Sequence, residues 1–172
     1  MIAPVRHPIL RLSSLQSDKE NRAVNVFRNK WPRTGALLAI NLLFLMVWGF
    51  AGVGKLVNGY PVWFNDKFGS TILARFPGLP ASFWLLTVAE LFAFALAVIA
   101  LLRGEFLGCR SSSCLTGMLV WSLFVFVQLG FGQWLTSEFN GAFQMCVYFG
   151  VTLVALQFVV GNASEPSVTG AK

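Results

Sequence analysis

Residues 81–102 read ASFWLLTVAELFAFALAVIALL. The stretch holds one charge, Glu90, and neither glycine nor proline. As a helix rising 1.5 Å per residue it spans about 33 Å, enough to cross a hydrocarbon core of about 30 Å. A helix on the surface of a soluble domain would keep a polar face. Here Ser82, Thr87 and Glu90 are the only polar residues, so the helix is built for lipid and for other helices.

Three further stretches have the same character: 35–56, 114–135 and 141–161. Open strands would leave backbone groups unpaired in lipid, so all four are expected to be helices. The expected fold is an all-α membrane protein, a four-transmembrane-helix bundle with short interfacial helices. Composition agrees. The chain of 172 residues is 56% hydrophobic and only 12% charged, against about 25% charged in soluble domains. That excludes a disordered chain and a disulfide scaffold, and argues against a soluble enzyme. The stretch 35–56 is longer than a signal-peptide core and follows 34 polar-rich residues, so it reads as a retained span.

Net charge is +6. Ten of the 13 basic residues fall before residue 35, in the 103–113 loop or at Lys172; the other three are Lys55, Lys67 and Arg75. By the positive-inside rule both termini are cytoplasmic, and the 57–80 loop faces outward. Basic residues beside a span read as contacts with anionic lipid, not with nucleic acid. Residues 1–34 form a basic cytoplasmic extension, and 162–172 a flexible cytoplasmic tail. Ser17 and Glu20 fit a capping box, and Ala23, Phe27 and Trp31 share a face, which predicts an interfacial helix over 18–31 closed by Pro32. Its Phe27 and Trp31, with Arg28, Lys30 and Arg33, are expected to touch lipid or a partner. In the outer loop, Pro61 opens a second interfacial helix with Phe64, Phe68 and Ile72 on one face, and Pro77 and Pro80 stop it.

Charged groups within spans face the bundle interior. Ala93, Ala97 and Ala100 follow Glu90 at helical spacing and make a small-residue face for close packing. Lys55 ends the first span and shares a face with Asn41, Trp48 and Gly52. Gln128 lies at a depth similar to Glu90, with Gln133 and Gln144 shallower. Two readings stand side by side. In one, Glu90 pairs with Lys55 and the glutamines bridge helices as glue. In the other, Lys55, Glu90, Gln128 and Gln144 line a binding cavity for a lipid, a quinone head or a small solute.

No catalytic residue and no metal site is assigned. The one histidine is His7 in the extension, so no intramembrane histidine is present to ligate haem or metal. Cys109 and Cys114 lack the C-x-x-C spacing, and Cys146 reads as small apolar packing. Ser113 is positioned to cap the third span.

Gly52-Val-Gly54-Lys55-Leu56, the loop aromatics Phe64 and Phe68, Pro77-Gly78-Leu79-Pro80, and Glu90 followed by small residues resemble the DoxX-like family of small four-span bacterial membrane proteins. The resemblance covers roughly residues 35–107. It implies a bundle in the bacterial inner membrane. Some relatives are membrane subunits linked to quinone reduction, and others are accessories of larger assemblies. The expected function is therefore a non-catalytic subunit or accessory of a larger membrane redox complex, with lipids and other membrane subunits as partners. A membrane subunit of a quinone-linked oxidoreductase is the second expectation, and a small-solute transporter the third. The basic extension departs from the family pattern. So does the missing intramembrane histidine, which leaves no group of that kind for proton-coupled quinone chemistry.

Overall fold

The structure is a computed structural model that describes residues 31–107 and 112–161. The chain divides into Met1–Ala36 and Leu37–Lys172. Of the first unit, residues 31–36 are described and are helical; Trp31 is exposed and Arg33 half-buried. Phe27, Arg28, Lys30, the rest of the expected 18–31 helix, Cys109 and the 162–172 tail lie outside the described residues.

Among the described residues there are helices and no strands. Four helices are long and apolar enough to span a membrane: α1 (Trp31–Asn58), α3 (Leu79–Leu102), α4 (Ser113–Leu135) and α5 (Phe139–Gly161). A short α2 (Val62–Phe68) lies between α1 and α3. The chain is an all-α, multi-pass membrane protein with a four-helix bundle.

Two of the prolines expected to end helices stand in the first described turns of spans; the residues before Trp31 lie outside the described ones, and with them the helix expected to end at Pro32. Pro32 is the second described residue of α1. A proline disrupts hydrogen bonds to the preceding turn and leaves the following turns intact. Pro80 sits in the first turn of α3, after Gly78 at the N-cap with φ of 100°. Its fixed φ suits a helix start, and glycine supplies the positive φ just before it. α3 therefore begins two residues before the expected 81.

The alanine face is the centre of the bundle. Ala93, Ala97 and Ala100 are fully buried. Their small side chains let neighbouring backbones approach, which is how helices gain van der Waals contact where lipid offers no hydrophobic drive. Leu37, Phe44 and Trp48 of α1, Leu115, Met118 and Leu119 of α4, and Ala155 and Val159 of α5 belong to the same core.

Polar side chains cross-link the helices. Trp48 Nε1 donates to Ser122 Oγ at 2.9 Å, joining α1 to α4. Trp121 Nε1 donates to the Ala89 carbonyl at 2.9 Å, joining α4 to α3. Asn41 is buried with its amide nitrogen on the Ala97 carbonyl and its oxygen on the Leu101 N–H, each at 3.1 Å, in the orientation that satisfies both groups. Buried hydroxyls turn back on their own helix, Thr87 to Phe83 O, Ser122 to Met118 O and Thr152 to Tyr148 O. None of these hydroxyls is left to pay a desolvation cost alone.

α2 packs its Phe64 and Phe68 against Phe83 at the start of α3. The Phe64 and Phe83 rings meet edge-on at 5.4 Å, a favoured geometry for aromatic quadrupoles. Ile72, expected on the same face, is 62% exposed. The helical period breaks after Phe68, and Ile72 opens a separate 3-10 turn. Cys146, expected as small apolar packing, is exposed on α5.

Candidate functional site

Glu90 lies near the middle of α3 and is 1% exposed. Lys55 Nζ donates to its Oε1 at 2.5 Å. Its Oε2 is buried and accepts no hydrogen bond from any described residue.

The pairing follows from the local form of α1. Residues Gly49–Val53 form a π-helical segment before the chain resumes α geometry at Gly54–Asn58. A π turn takes up an extra residue and so rotates everything after it around the axis. Within the segment Gly52 faces Leu91: a Cβ there would stand 3.1 Å from Leu91 Cδ2 and 3.2 Å from the Leu91 backbone nitrogen. Glycine thus permits α1 to touch α3 one residue past Glu90, and the rotated turn presents Lys55 to the carboxylate. Gly59, with φ of 68°, then ends the helix by donating its N–H to Lys55 O.

Lys55 also borders a cavity of about 290 Å³ beneath α2. Its polar wall is Lys55, Lys67, Ser82, Gln128 and Gln133; the remainder is aromatic and aliphatic. Lys67 Nζ donates to Gln133 Oε1 at 3.3 Å, tying α2 to the end of α4. Of the residues expected to line a cavity, Lys55 and Gln128 border it, and Glu90 stands behind Lys55. Gln144 does not border it and is exposed on α5. The buried face of α5 runs through Ala142, Thr152, Ala155 and Val159, and Gln144 lies some 200° around the axis from Ala142.

Lys67 entered the sequence reading only as a loop charge. Its signal was present: it falls three residues after Phe64 and one before Phe68, so it flanks the buried face of α2. Glu105 was not singled out at all. It is 3% exposed, and its two carboxylate oxygens accept from the N–H groups of Cys114 at 3.1 Å and Leu115 at 2.8 Å. A carboxylate at this place satisfies orphan donors and meets the positive end of the helix dipole. The serine cap expected from Ser113 is not the arrangement found; Ser112 holds the N-cap position and makes no side-chain cap bond. On the far side of Cys114, Arg103 Nη1 donates to its Sγ at 3.3 Å.

Compared with known proteins, the chain matches no family model, no curated sequence and no solved structure. Among the described residues no three His, Cys, Asp or Glu side chains gather to hold a metal.

Proposed function

We propose that this protein is a DoxX-like, non-catalytic subunit or accessory of a larger assembly in the bacterial inner membrane, with both termini cytoplasmic. The observation that carries this reading is the outer face of α5. Only 11% of its most apolar window is buried, against 28–33% in the other three spans. That face is not simply greasy. Val147, Val154 and Gln157 are exposed on it, and Gly150 has open space where a side chain would stand. These positions fall on one stripe of the helix. A half-buried glycine with nothing packed over it lowers helix propensity without serving lipid, and a glutamine amide on the same stripe gains from a partner helix. A second transmembrane helix seated on the stripe accounts for both.

The test is solubilisation in mild detergent followed by native mass spectrometry of what co-purifies. The expected result is a stoichiometric integral-membrane partner that is lost in Gly150→Leu. A Cβ at Gly150 meets nothing within 4 Å, so the variant should keep the wild-type melting temperature. A wild-type protein that purifies alone, or a partner retained undiminished by Gly150→Leu, overturns the reading.

A further inference from the structure

The cavity beneath α2 has a chemical polarity that the helix pairings leave unused. Among its two cations, Lys55 is paired with Glu90. Lys67 is not paired: among the described residues it meets no carboxylate, and its one hydrogen bond goes to a neutral amide at 3.3 Å. Charge-assisted N–H···O bonds settle at about 2.7–2.9 Å, so this contact leaves most of the ammonium's bonding capacity unspent. Gln133 accepts from Lys67 through its oxygen, which leaves its N–H groups to donate. Gln128 on the same wall is exposed and also carries two donors. The polar end of the cavity is therefore net positive and rich in donors. The rest of the wall, including Phe64, Leu86 and Phe131, is apolar.

Position agrees with this polarity. Gln133 lies in the last turn of α4, which ends at Leu135. Lys67 and Gln133 sit where a lipid head would sit, Gln128 lies five residues deeper along α4, and the apolar wall continues toward the hydrocarbon. A volume of about 290 Å³ is at the small end of ligand cavities, which run about 300–1,000 Å³. It suits one compact head and the first part of one chain. A single-chain carboxylate is the simplest ligand of that form, and a phosphodiester head or a second chain would have to extend outside this volume.

We infer that the cavity beneath α2 binds a long-chain carboxylate, the anionic head held by Lys67 and Gln133 and the chain running down the apolar wall past Gln128. This site goes beyond the accessory role and does not depend on it. The Lys55–Glu90 pair forms the cavity's inner limit: the paired carboxylate keeps Lys55 from competing for the ligand and directs the head to Lys67.

The experiment uses the full-length protein, delipidated in a non-ionic detergent, with four probes of matched chain length: oleate, oleyl alcohol, lysophosphatidylglycerol and dioleoylphosphatidylglycerol. Native mass spectrometry should record one bound oleate, held at least about tenfold more tightly than oleyl alcohol, as expected for one charge-assisted contact. Lys67→Gln should abolish that preference, and Lys67→Arg should retain it. Independently of any variant, a diazirine-bearing oleate should crosslink wild-type peptides within 62–86 or 128–133. Equal binding of oleate and oleyl alcohol overturns the proposal and points to a neutral head such as a quinone. Equal or tighter binding of lysophosphatidylglycerol overturns the carboxylate assignment, and that of the diacyl lipid the single-chain assignment. An oleate preference unchanged in Lys67→Gln, or crosslinks confined to α5, overturns the site.

Discussion

Lys55 keeps 25% of its side-chain surface exposed, whereas Glu90 keeps 1%. A lysine with access to the cavity can swing its ammonium toward water if its partner is lost. A buried carboxylate has no such escape. The two halves of the pair should therefore respond unequally to substitution. Lys55→Met removes the carboxylate's one hydrogen-bond donor among the described residues and should cost about 3–5 kcal/mol. Glu90→Gln keeps an acceptor for Lys55 and should cost about 1 kcal/mol. Replacing both, as Lys55→Met with Glu90→Leu, should recover most of the loss, because well-packed apolar residues often equal a buried ion pair. Equilibrium unfolding in mixed micelles reads all three. Equal losses for Lys55→Met and Glu90→Gln would remove the pair from its structural role. The residue scale also shows why Glu90 was legible: one acid in an apolar span with alanines at i+3, i+7 and i+10 has to point inward. Lys67 belongs to a loop by composition, and only the fold of α2 against α3 and α4 turns it toward a cavity.

Two elements are shaped by devices that run length does not reveal. The π segment of α1 rotates the final stretch Gly54–Asn58 so that Lys55 reaches α3. The start of α4 is capped from outside, by Glu105 in the 3-10 turn Glu105–Leu107 that follows α3. The cap bridges a connection, so it ties the ends of two spans as well as satisfying two N–H groups. Glu105→Ala should destabilise the bundle by about 1–2 kcal/mol, the range of lost helix caps, and Ser113→Ala should do measurably less. Thermal unfolding followed by circular dichroism compares them, and the Glu105→Ala loss should concentrate in hydrogen exchange at Cys114 and Leu115. A larger effect at Ser113 would return the cap to the serine.

At the scale of the molecule, the charge pattern is the basis of the proposed orientation. On the proposed topology ten basic residues share the side of the termini and three the other, an asymmetry of the kind that directs insertion. On a background without native cysteines, Ser70→Cys should react with an impermeant maleimide in intact cells. Ser167→Cys should react only after permeabilisation. Labelling of Ser167→Cys in intact cells reverses the proposed topology.

Four spans, the central alanine face and the inward acid were determined by sequence alone. Each depends on a local quantity: the length of an apolar run, or the spacing of small residues along one helix. The partner of Glu90 was anticipated because Lys55 was the nearest cation at a span end. The rest was decided by tertiary structure. Gln144 and Cys146 turn outward because α5 buries a different face, and nothing in its evenly apolar sequence marks that face. Ile72 leaves the aromatic cluster because α2 stops at Phe68. Lys67 and Glu105 gain their roles from residues 66 and about ten positions away, Gln133 and the Cys114–Leu115 amides. In lipid nearly every position of a span tolerates an apolar side chain, so hydrophobic pattern identifies helices but does not set their rotation. Rotation is chosen by where small residues permit contact and where the few polar groups find partners, and those choices are made between helices.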